Sequence, residues 1–344
     1  SHAFYGVLIV DRSLAGVKQA VRKSRNQVLL GGAATLFALL GSLGLAVEGP
    51  EALSILVGPS PLASTRSYHA GPTEPPENVP GTGLGPLEFR EICTVEKYLN
   101  AGSFKQVFAG HQKSTGRKVA IKRIRDRRGA DLAERLRQFE QEARVQGQLD
   151  HQNIPPIILL GTPDGSPGVL IEKLIEGREW SHTVRDPAVP QADKLDVLLR
   201  VCEALKYVHD RGLIHRDIKP LNVMLSQYGE VYLVDWGFAV QVDPSISPLT
   251  APLPSADTSS AGTPNYMAPE MARGRYKTFS RATDVFLLGS VLYEILTGTT
   301  PYRGGHAAAF RQAFLGQIEP PRSRAPDRVI AAELEQIALC ALSF

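Results

Sequence analysis

Apolar and polar residues alternate with a regular period only in the C-terminal part of the chain. Apolar runs with the period of β-strands predict strands at 92–99, 105–111, 117–124, 157–161 and 168–174. Apolar residues at helical spacing predict helices at 131–149, 192–211, 283–297 and 331–343. Five strands with one helix among them, followed by a mainly helical part, predict an α+β domain with a β-rich lobe and a helical lobe.

The N-terminal part contains a long stretch without charge. Residues 4–10 predict a strand, and residues 13–27 predict a helix that ends in basic residues. The next residues, 28–47, contain no charged side chain, and about 20 apolar residues suffice to cross a bilayer as a helix. The run has no polar stripe to present to water, so we expect a transmembrane helix. A buried helix of a soluble domain is the alternative.

The part between this run and the regular pattern predicts a linker. Prolines and glycines crowd residues 58–86, and no apolar periodicity survives there. We therefore expect a sensor or juxtamembrane end at 1–27, a transmembrane helix at 28–47, a linker at 48–86 and a catalytic domain at 87–344. The apolar helical pattern continues to the last residue, so we expect this domain to extend further.

Charge and cysteine usage exclude some classes of function. The net charge is +3 over 344 residues, and the basic residues are scattered or clustered only locally. Nucleic acid is therefore not an expected partner. The three cysteines lie far apart in the sequence without metal-ligand spacing, which favours reduced thiols in a cytosolic globular part.

The densest group of candidate chemistry lies at 215–225, which reads His-Arg-Asp-Ile-Lys-Pro-Leu-Asn-Val-Met-Leu. The apolar pair at 213–214 predicts a short strand before it. Asp217 can accept a proton from a hydroxyl, Lys219 can neutralise phosphate charge and Asn222 can ligate Mg²⁺. The stretch resembles the catalytic loop of protein kinases, H-R-D-x-x-x-x-N.

Further segments resemble protein kinase motifs, and they follow one another in the order of that family. They are 100–107 (Gly-rich loop), 119–122 (V-A-I-K), 169–177 (fifth strand and hinge), 235–237 (D-W-G for D-F-G), 262–270 (G-T-x-x-Y-M-A-P-E) and 284–289 (D-V-x-S-L-G). The last two resemble bacterial serine/threonine kinases of the eukaryotic-like, or Hanks, type. The resemblance covers about residues 92 to 344 and implies the two-lobe protein kinase fold.

The resemblance implies a nucleotide site for ATP between the lobes. Lys122 would hold the α- and β-phosphates, with Glu142 of the following helix as its ion partner. Ile171 would close the back of the pocket. The other nucleotide contacts would come from Asn100, Gly102, Val107, Ala120, Met224 and the backbone of Glu172 and Leu174.

The resemblance also implies roles around the transferred phosphate. Asp217 would accept the proton of the substrate hydroxyl, and Lys219 fits the pattern of serine/threonine-specific enzymes. Asn222 and Asp235 would hold Mg²⁺ or Mn²⁺. Residues Thr263 and Glu270 would position a protein substrate. The candidates for regulatory phosphorylation in the activation loop are Thr250, Thr258, Ser259 and Ser260, and Arg216 could bind such a phosphate.

The resulting hypothesis is a membrane-tethered serine/threonine protein kinase that transfers the γ-phosphoryl group of Mg·ATP to protein hydroxyls. The basic residues before 28–47 alone would place residues 1–27 in the cytoplasm. We nevertheless expect the kinase domain on the cytoplasmic side of the inner membrane, because ATP is there. A homodimer that autophosphorylates is a further expectation. The alternative is a pseudokinase scaffold or nucleotide-binding module, because Asn100, Lys105 and Trp236 depart from the family pattern.

Overall fold

The computed structural model describes residues 92–101, 105–124, 132–161, 168–246, 249, 251–255 and 262–343. The predicted N-terminal strand and helix, the predicted transmembrane helix and the linker lie outside these residues. None of the helices within the described ranges has both the length and the apolar character needed to cross a membrane.

Five antiparallel strands and one helix form the N-terminal lobe, as the sequence predicts. The sheet has the strand order β1-β2-β3-β5-β4. The elements are β1 (Cys93–Ala101), β2 (Lys105–Gln112), β3 (Lys118–Ile124), α1 (Leu132–Gly147), β4 (Ile157–Gly161) and β5 (Val169–Lys173).

The alternation of side chains divides this sheet into two faces. The outer face carries a cluster formed by Cys93, Val119, Ile121, Val169 and Ile171. The inner face packs on α1, where Phe139 and Ala143 contact Ile124 and Leu170. Because directly paired residues point to the same side, the register between strands assigns further residues to the inner face. These residues are Lys105, Val107, Ala120, Lys122 and Glu172.

 Every α-helix of the described ranges except α1 lies in the C-terminal lobe, together with five short strands. Its helices are α2 (Gln191–His209), α3 (Pro269–Ala272), α4 (Arg281–Thr297), α5 (His306–Leu315), α6 (Pro321–Arg324) and α7 (Ala332–Ala341). Its strands are β6 (Gly177–Glu179), β7 (Leu213–Ile214), β8 (Val223–Ser226), β9 (Val231–Leu233) and β10 (Val240–Gln241).

Helix α4 forms the centre of the C-terminal lobe. Every residue from Thr283 to Thr297 is buried, which fits a helix that is apolar on all sides. Its N-terminus is closed by a capping box between Ser280 and Thr283, and its C-terminus by Gly298 in the left-handed conformation. The sequence prediction of 283–297 missed the first two residues of this helix. The helix therefore provides a rigid, fully enclosed support for the loops around it.

Gly289 marks the closest approach between α4 and α7. A Cβ atom added there would lie 2.7 Å from the Cβ of Ala341 and 3.3 Å from the Ala341 carbonyl carbon. Neither atom is the end of a flexible side chain, so the two helices would have to separate. Glycine at this position permits the close packing.

We expect Gly289→Ala to lower the free energy of unfolding by about 1–3 kcal/mol, because overpacking in a close-packed interior displaces backbone. Urea unfolding followed by circular dichroism measures this change. The matched control is Gly161→Ala in β4, since no atom of the described residues lies within 4 Å of the Cβ it would add. An equal loss of stability in both variants would contradict the packing argument.

Candidate active site

The loop that carries the candidate catalytic residues is held from below by Asp284 of α4. The fully buried Asp284 carboxylate accepts hydrogen bonds from the backbone N–H groups of His215 and Arg216, each at 2.8 Å. It also accepts one from Nε2 of His209 at 2.8 Å. Burial would raise the pKa of Asp284, but the hydrogen bonds that it accepts from His209 and from the backbone of His215 lower it. The carboxylate therefore stays ionised and fixes Arg216, whose φ of 68° is unusual for a non-glycine residue.

Asp217 lies at the centre of a hydrogen-bonded group of four side chains. Its Oδ1 accepts from Thr263 Oγ1 at 3.0 Å, and its Oδ2 accepts from Lys219 Nζ at 2.7 Å. Asn222 Nδ2 donates to the same Oδ2 and to the Asp217 carbonyl oxygen, each at 2.8 Å. Lys219 also donates to Thr263 Oγ1 at 2.7 Å. The structure thus brings together four predicted site residues.

His215 links this group to the segment that follows β9. Its Nε2 donates to the carbonyl oxygen of Val234 at 3.3 Å, and its Nδ1 accepts from the N–H of Asp217 at 3.2 Å. Burial lowers the pKa of His215, so the ring is neutral, as these two bonds require. The ring meets Trp236 edge to face, with the centroids 4.6 Å apart. Trp236 is buried against α1 and fills the space beneath that helix, as expected for the aromatic residue of this motif.

Asp235 and Asn222 have the chemistry of a magnesium site. The side chain of Asp235 is 46% exposed toward the cleft, and its pKa is lowered because Lys105 and Lys122 outweigh the effect of burial. Both amide N–H bonds of Asn222 go to Asp217, so its carbonyl oxygen is the atom left for a cation. In the described ranges no group of three or more His, Cys, Asp or Glu side chains could hold a metal. The donor set fits an ion that takes few protein ligands and completes its shell with phosphate or water.

The structure describes the predicted nucleotide-contacting residues to different extents. Val107 and Ala120 lie on the inner face of the sheet, and Met224 is half-buried in β8. The backbone of Asn100 pairs with Val107, but its side chain lies outside the described part. Gly102 lies outside it altogether. Their contacts with a nucleotide stay predictions.

Lys122 does not make the ion pair that the sequence predicts. Its Nζ lies 2.7 Å from Oε1 of Glu172, and both side chains are largely buried. The other oxygen of Glu172 accepts from Gln146 Nε2 at 3.1 Å. Burial would lower the pKa of Lys122, but Glu172, followed by Glu142, raises it above the usual range. Lys122 is therefore a charged side chain held by a carboxylate of β5, and the prediction of Glu142 as its partner is wrong.

Lys105 takes Glu142 instead. Lys105 Nζ donates to Oε2 of Glu142 and lies 3.7 Å from Oδ1 of Asp235. Burial raises the pKa of Glu142, and the charge of Lys105 offsets part of that rise. From the sequence, Lys105 is noted only as a residue that replaces a glycine of the Gly-rich loop pattern. The alternation of side chains along β2 could have revealed this role. Lys105 and Val107 are two residues apart and so point to the same face, and Val107 pairs with Lys122.

The predicted hinge is displaced by one residue. Ile171 packs in the outer cluster, whereas Glu172 points to the inner face behind Ala120. The residue at the back of the pocket is therefore Glu172, and the prediction of Ile171 is wrong. Glu172 is also paired on both sides of β5, with Ala120 and with Ile157, so its backbone belongs to the sheet. Leu174 is the first residue beyond the strand.

The remaining predicted residues lie away from this group or outside the described part. Glu270 is buried in α3, where burial raises its pKa. Arg216 is buried, and its Nε donates to the carbonyl oxygen of Phe238 at 2.7 Å. The four candidates for phosphorylation, Thr250, Thr258, Ser259 and Ser260, lie outside the described residues.

Comparison with known proteins agrees with this geometry. Residues 93–337 match the protein kinase domain. Serine/threonine-protein kinase PknD of Chlamydia felis is 32% identical over 277 residues, which cover 72% of this chain and 28% of that protein. Probable serine/threonine-protein kinase PknB of Corynebacterium glutamicum is 34% identical over 216 residues, which cover 61% of this chain and 32% of that protein. The chain thus spans about a third of the length of these curated relatives or less. The family and the fold expected from the sequence are confirmed, and the chain belongs to the protein kinase domain family.

Proposed function

We propose that the protein is a serine/threonine protein kinase that transfers a phosphoryl group from ATP to hydroxyl groups of protein substrates. The observation that carries the proposal is the convergence of Lys219, Asn222 and Thr263 on the carboxylate of Asp217. A carboxylate so held keeps one orientation without a substrate, which favours a role as the group that receives a proton.

The residues around Asp217 divide the work of the reaction. Asp217 orients the attacking hydroxyl and takes its proton. Lys219, 2.7 Å from Asp217 Oδ2, balances the carboxylate charge and faces the developing phosphate charge. Asn222 and Asp235 hold the divalent metal. Mg²⁺ or Mn²⁺, when bound, neutralises charge on the phosphate oxygens.

The nucleotide is proposed to bind under the inner face of the sheet. Val107 and Ala120 cover the adenine from above and Met224 from below, and all three lie on the elements that this position requires. The backbone beyond β5, from Leu174 onward, contacts the edge of the base in place of Glu172. Asn100 and Gly102 lead into the loop that covers the phosphates.

A surface groove beside Asp217 supports protein as the substrate class. Its lining includes Lys219, Thr263, Leu221 and Tyr266. Leu221 is half exposed, and it gives the groove an apolar contact for a peptide chain. Glu270, buried in α3, is proposed to help position the substrate. The four candidate phosphorylation sites between Thr250 and Ser260 are proposed as targets of autophosphorylation within a homodimer.

Attachment to the membrane through residues 28–47 is part of the same proposal. The uncharged run supports it, and the need for ATP puts the kinase domain on the cytoplasmic side.

The decisive experiment is a phosphate-transfer assay on the purified full chain, with labelled ATP, Mg²⁺ and a generic basic protein. We expect Asp217→Asn to lower the rate by roughly 10²–10⁴-fold, the usual contribution of a general base. The control is Asp196→Asn, which neutralises an exposed carboxylate on α2 that pairs with Arg200. If the wild-type protein binds ATP but transfers no label to the substrate, the proposal is contradicted and a nucleotide-binding scaffold is favoured.

Removal of divalent metal separates catalysis from folding. EDTA is expected to stop transfer, and Mg²⁺ or Mn²⁺ to restore it. The melting temperature without nucleotide should stay unchanged, because no cluster of three or more candidate ligands occurs among the described residues. Differential scanning fluorimetry beside the rate assay measures both. Full transfer in EDTA would contradict the assignment of Asn222 and Asp235.

A further inference from the structure

Two lysines lie side by side on the inner face of the sheet, although one phosphate-binding lysine suffices. Val107 pairs with Lys122, and Lys105 lies two residues before Val107 on β2. The two cations are therefore diagonal neighbours across β2 and β3. Each is paired with its own carboxylate, Lys105 with Glu142 and Lys122 with Glu172. Because the two lysines have different carboxylate partners, they can have different roles.

Lys122 is held in a closed, buried pair. Glu172 is 4% exposed, and its second oxygen is bonded to Gln146, which in turn donates to the Pro155 carbonyl oxygen at 2.9 Å. If Lys122 moved away to contact a phosphate, it would leave Glu172 charged and buried without a cation. Breaking a buried pair in this way is strongly unfavourable. The structure therefore opposes a phosphate contact by Lys122.

Lys105 lies between the two groups that a phosphate-binding lysine has to serve. Glu142 holds it from α1, and Asp235, the candidate metal ligand, is 3.7 Å away on the cleft side. Among the described residues, Arg216 and Asp235 are the non-glycine positions with positive φ, so Lys105 has an ordinary backbone conformation. Its lysine replaces a glycine without backbone strain, and its side chain reaches the cleft.

We propose that Lys105 is the phosphate-binding lysine of this kinase, oriented by Glu142, and that Glu172 holds Lys122 out of that role. The inference rests on the proposed function for the presence of ATP. It concerns which of the two lysines binds phosphate. The affinity for nucleotide answers this question even if the protein transfers no phosphate.

The first test compares the affinity for Mg·ATP by calorimetric titration, the transfer rate and the melting temperature. Lys105→Met is expected to raise the Kd for Mg·ATP by about ten- to a hundredfold, the range for loss of a charged hydrogen bond. The control on the neighbouring strand is Lys118→Met, which removes an exposed lysine paired with Glu176. It should leave affinity unchanged.

Lys122 is tested with its partner. Lys122→Met alone leaves Glu172 uncompensated, so it is expected to lower the melting temperature. The double variant Lys122→Met/Glu172→Met replaces the buried pair by apolar side chains, which often preserves stability. We expect it to bind Mg·ATP far more tightly than Lys105→Met. A double variant that folds but binds Mg·ATP weakly, while Lys105→Met binds it as tightly as the wild type, would overturn the proposal.

A gain of function completes the test. Lys105→Gly is expected to lose affinity and transfer. In Lys105→Gly/Glu172→Met, the released Lys122 can turn to Glu142. The affinity for Mg·ATP and the transfer rate should therefore recover in part. A loss of stability alone cannot produce such a recovery. Failure to recover, in a protein that melts like Lys105→Gly, would contradict the role of Glu172. If wild type binds Mg·ATP but transfers nothing, the proposed function fails while the affinities still decide between the lysines. If wild type binds no nucleotide, both proposals fail.

Discussion

The active-site loop depends on one buried carboxylate. Asp284 accepts the N–H groups of two successive loop residues, His215 and Arg216, and it sits on a helix that is buried on every side. A residue at positive φ needs such support, because its backbone conformation is unfavourable in isolation. Further hydrogen bonds extend this support to the neighbouring residues. Asp217 N–H bonds His215, and His215 bonds the carbonyl before Asp235. The candidate catalytic carboxylate of Asp217 and the candidate metal ligand Asp235 are therefore both held in place through Asp284 of α4.

The N-terminal lobe solves a different electrostatic problem. Two lysines and Glu172 lie on the inner face of the sheet, and Glu142 of α1 faces them. Each of the two buried glutamates would be unstable without a cation. Pairing Lys122 with Glu172 and Lys105 with Glu142 compensates both. The second pair also joins α1 to the start of the segment 235–238, because Lys105 contacts Glu142 and approaches Asp235. A lysine of β2 thus lies between α1 and Asp235.

The sequence predicted the architecture well because periodicity and motif order are local properties. The strand at 157–161 and the helix at 283–297 came within two residues of the observed elements, and the group around Asp217 came from one contiguous loop with a single distant partner, Thr263. The errors arose where side-chain direction decides. The resemblance placed Ile171 behind the nucleotide, but the alternation of side chains along β5 turns Glu172, and not Ile171, inward. The ion partner of Lys122 could not be predicted before that register was known.

Glu172 also changes what kinds of small molecule the cleft can accept. The space behind the adenine position ends in a lysine–glutamate pair braced by Gln146, instead of an apolar side chain. A compound that extends an aromatic or aliphatic group toward this wall would have to desolvate or separate a buried ion pair, and it would gain little from the contact. A compound with a short amine or amide at the same point could share hydrogen bonds with the Glu172 carboxylate. Selective ligands for this cleft are therefore to be sought among polar rather than apolar extensions of an adenine-like ring.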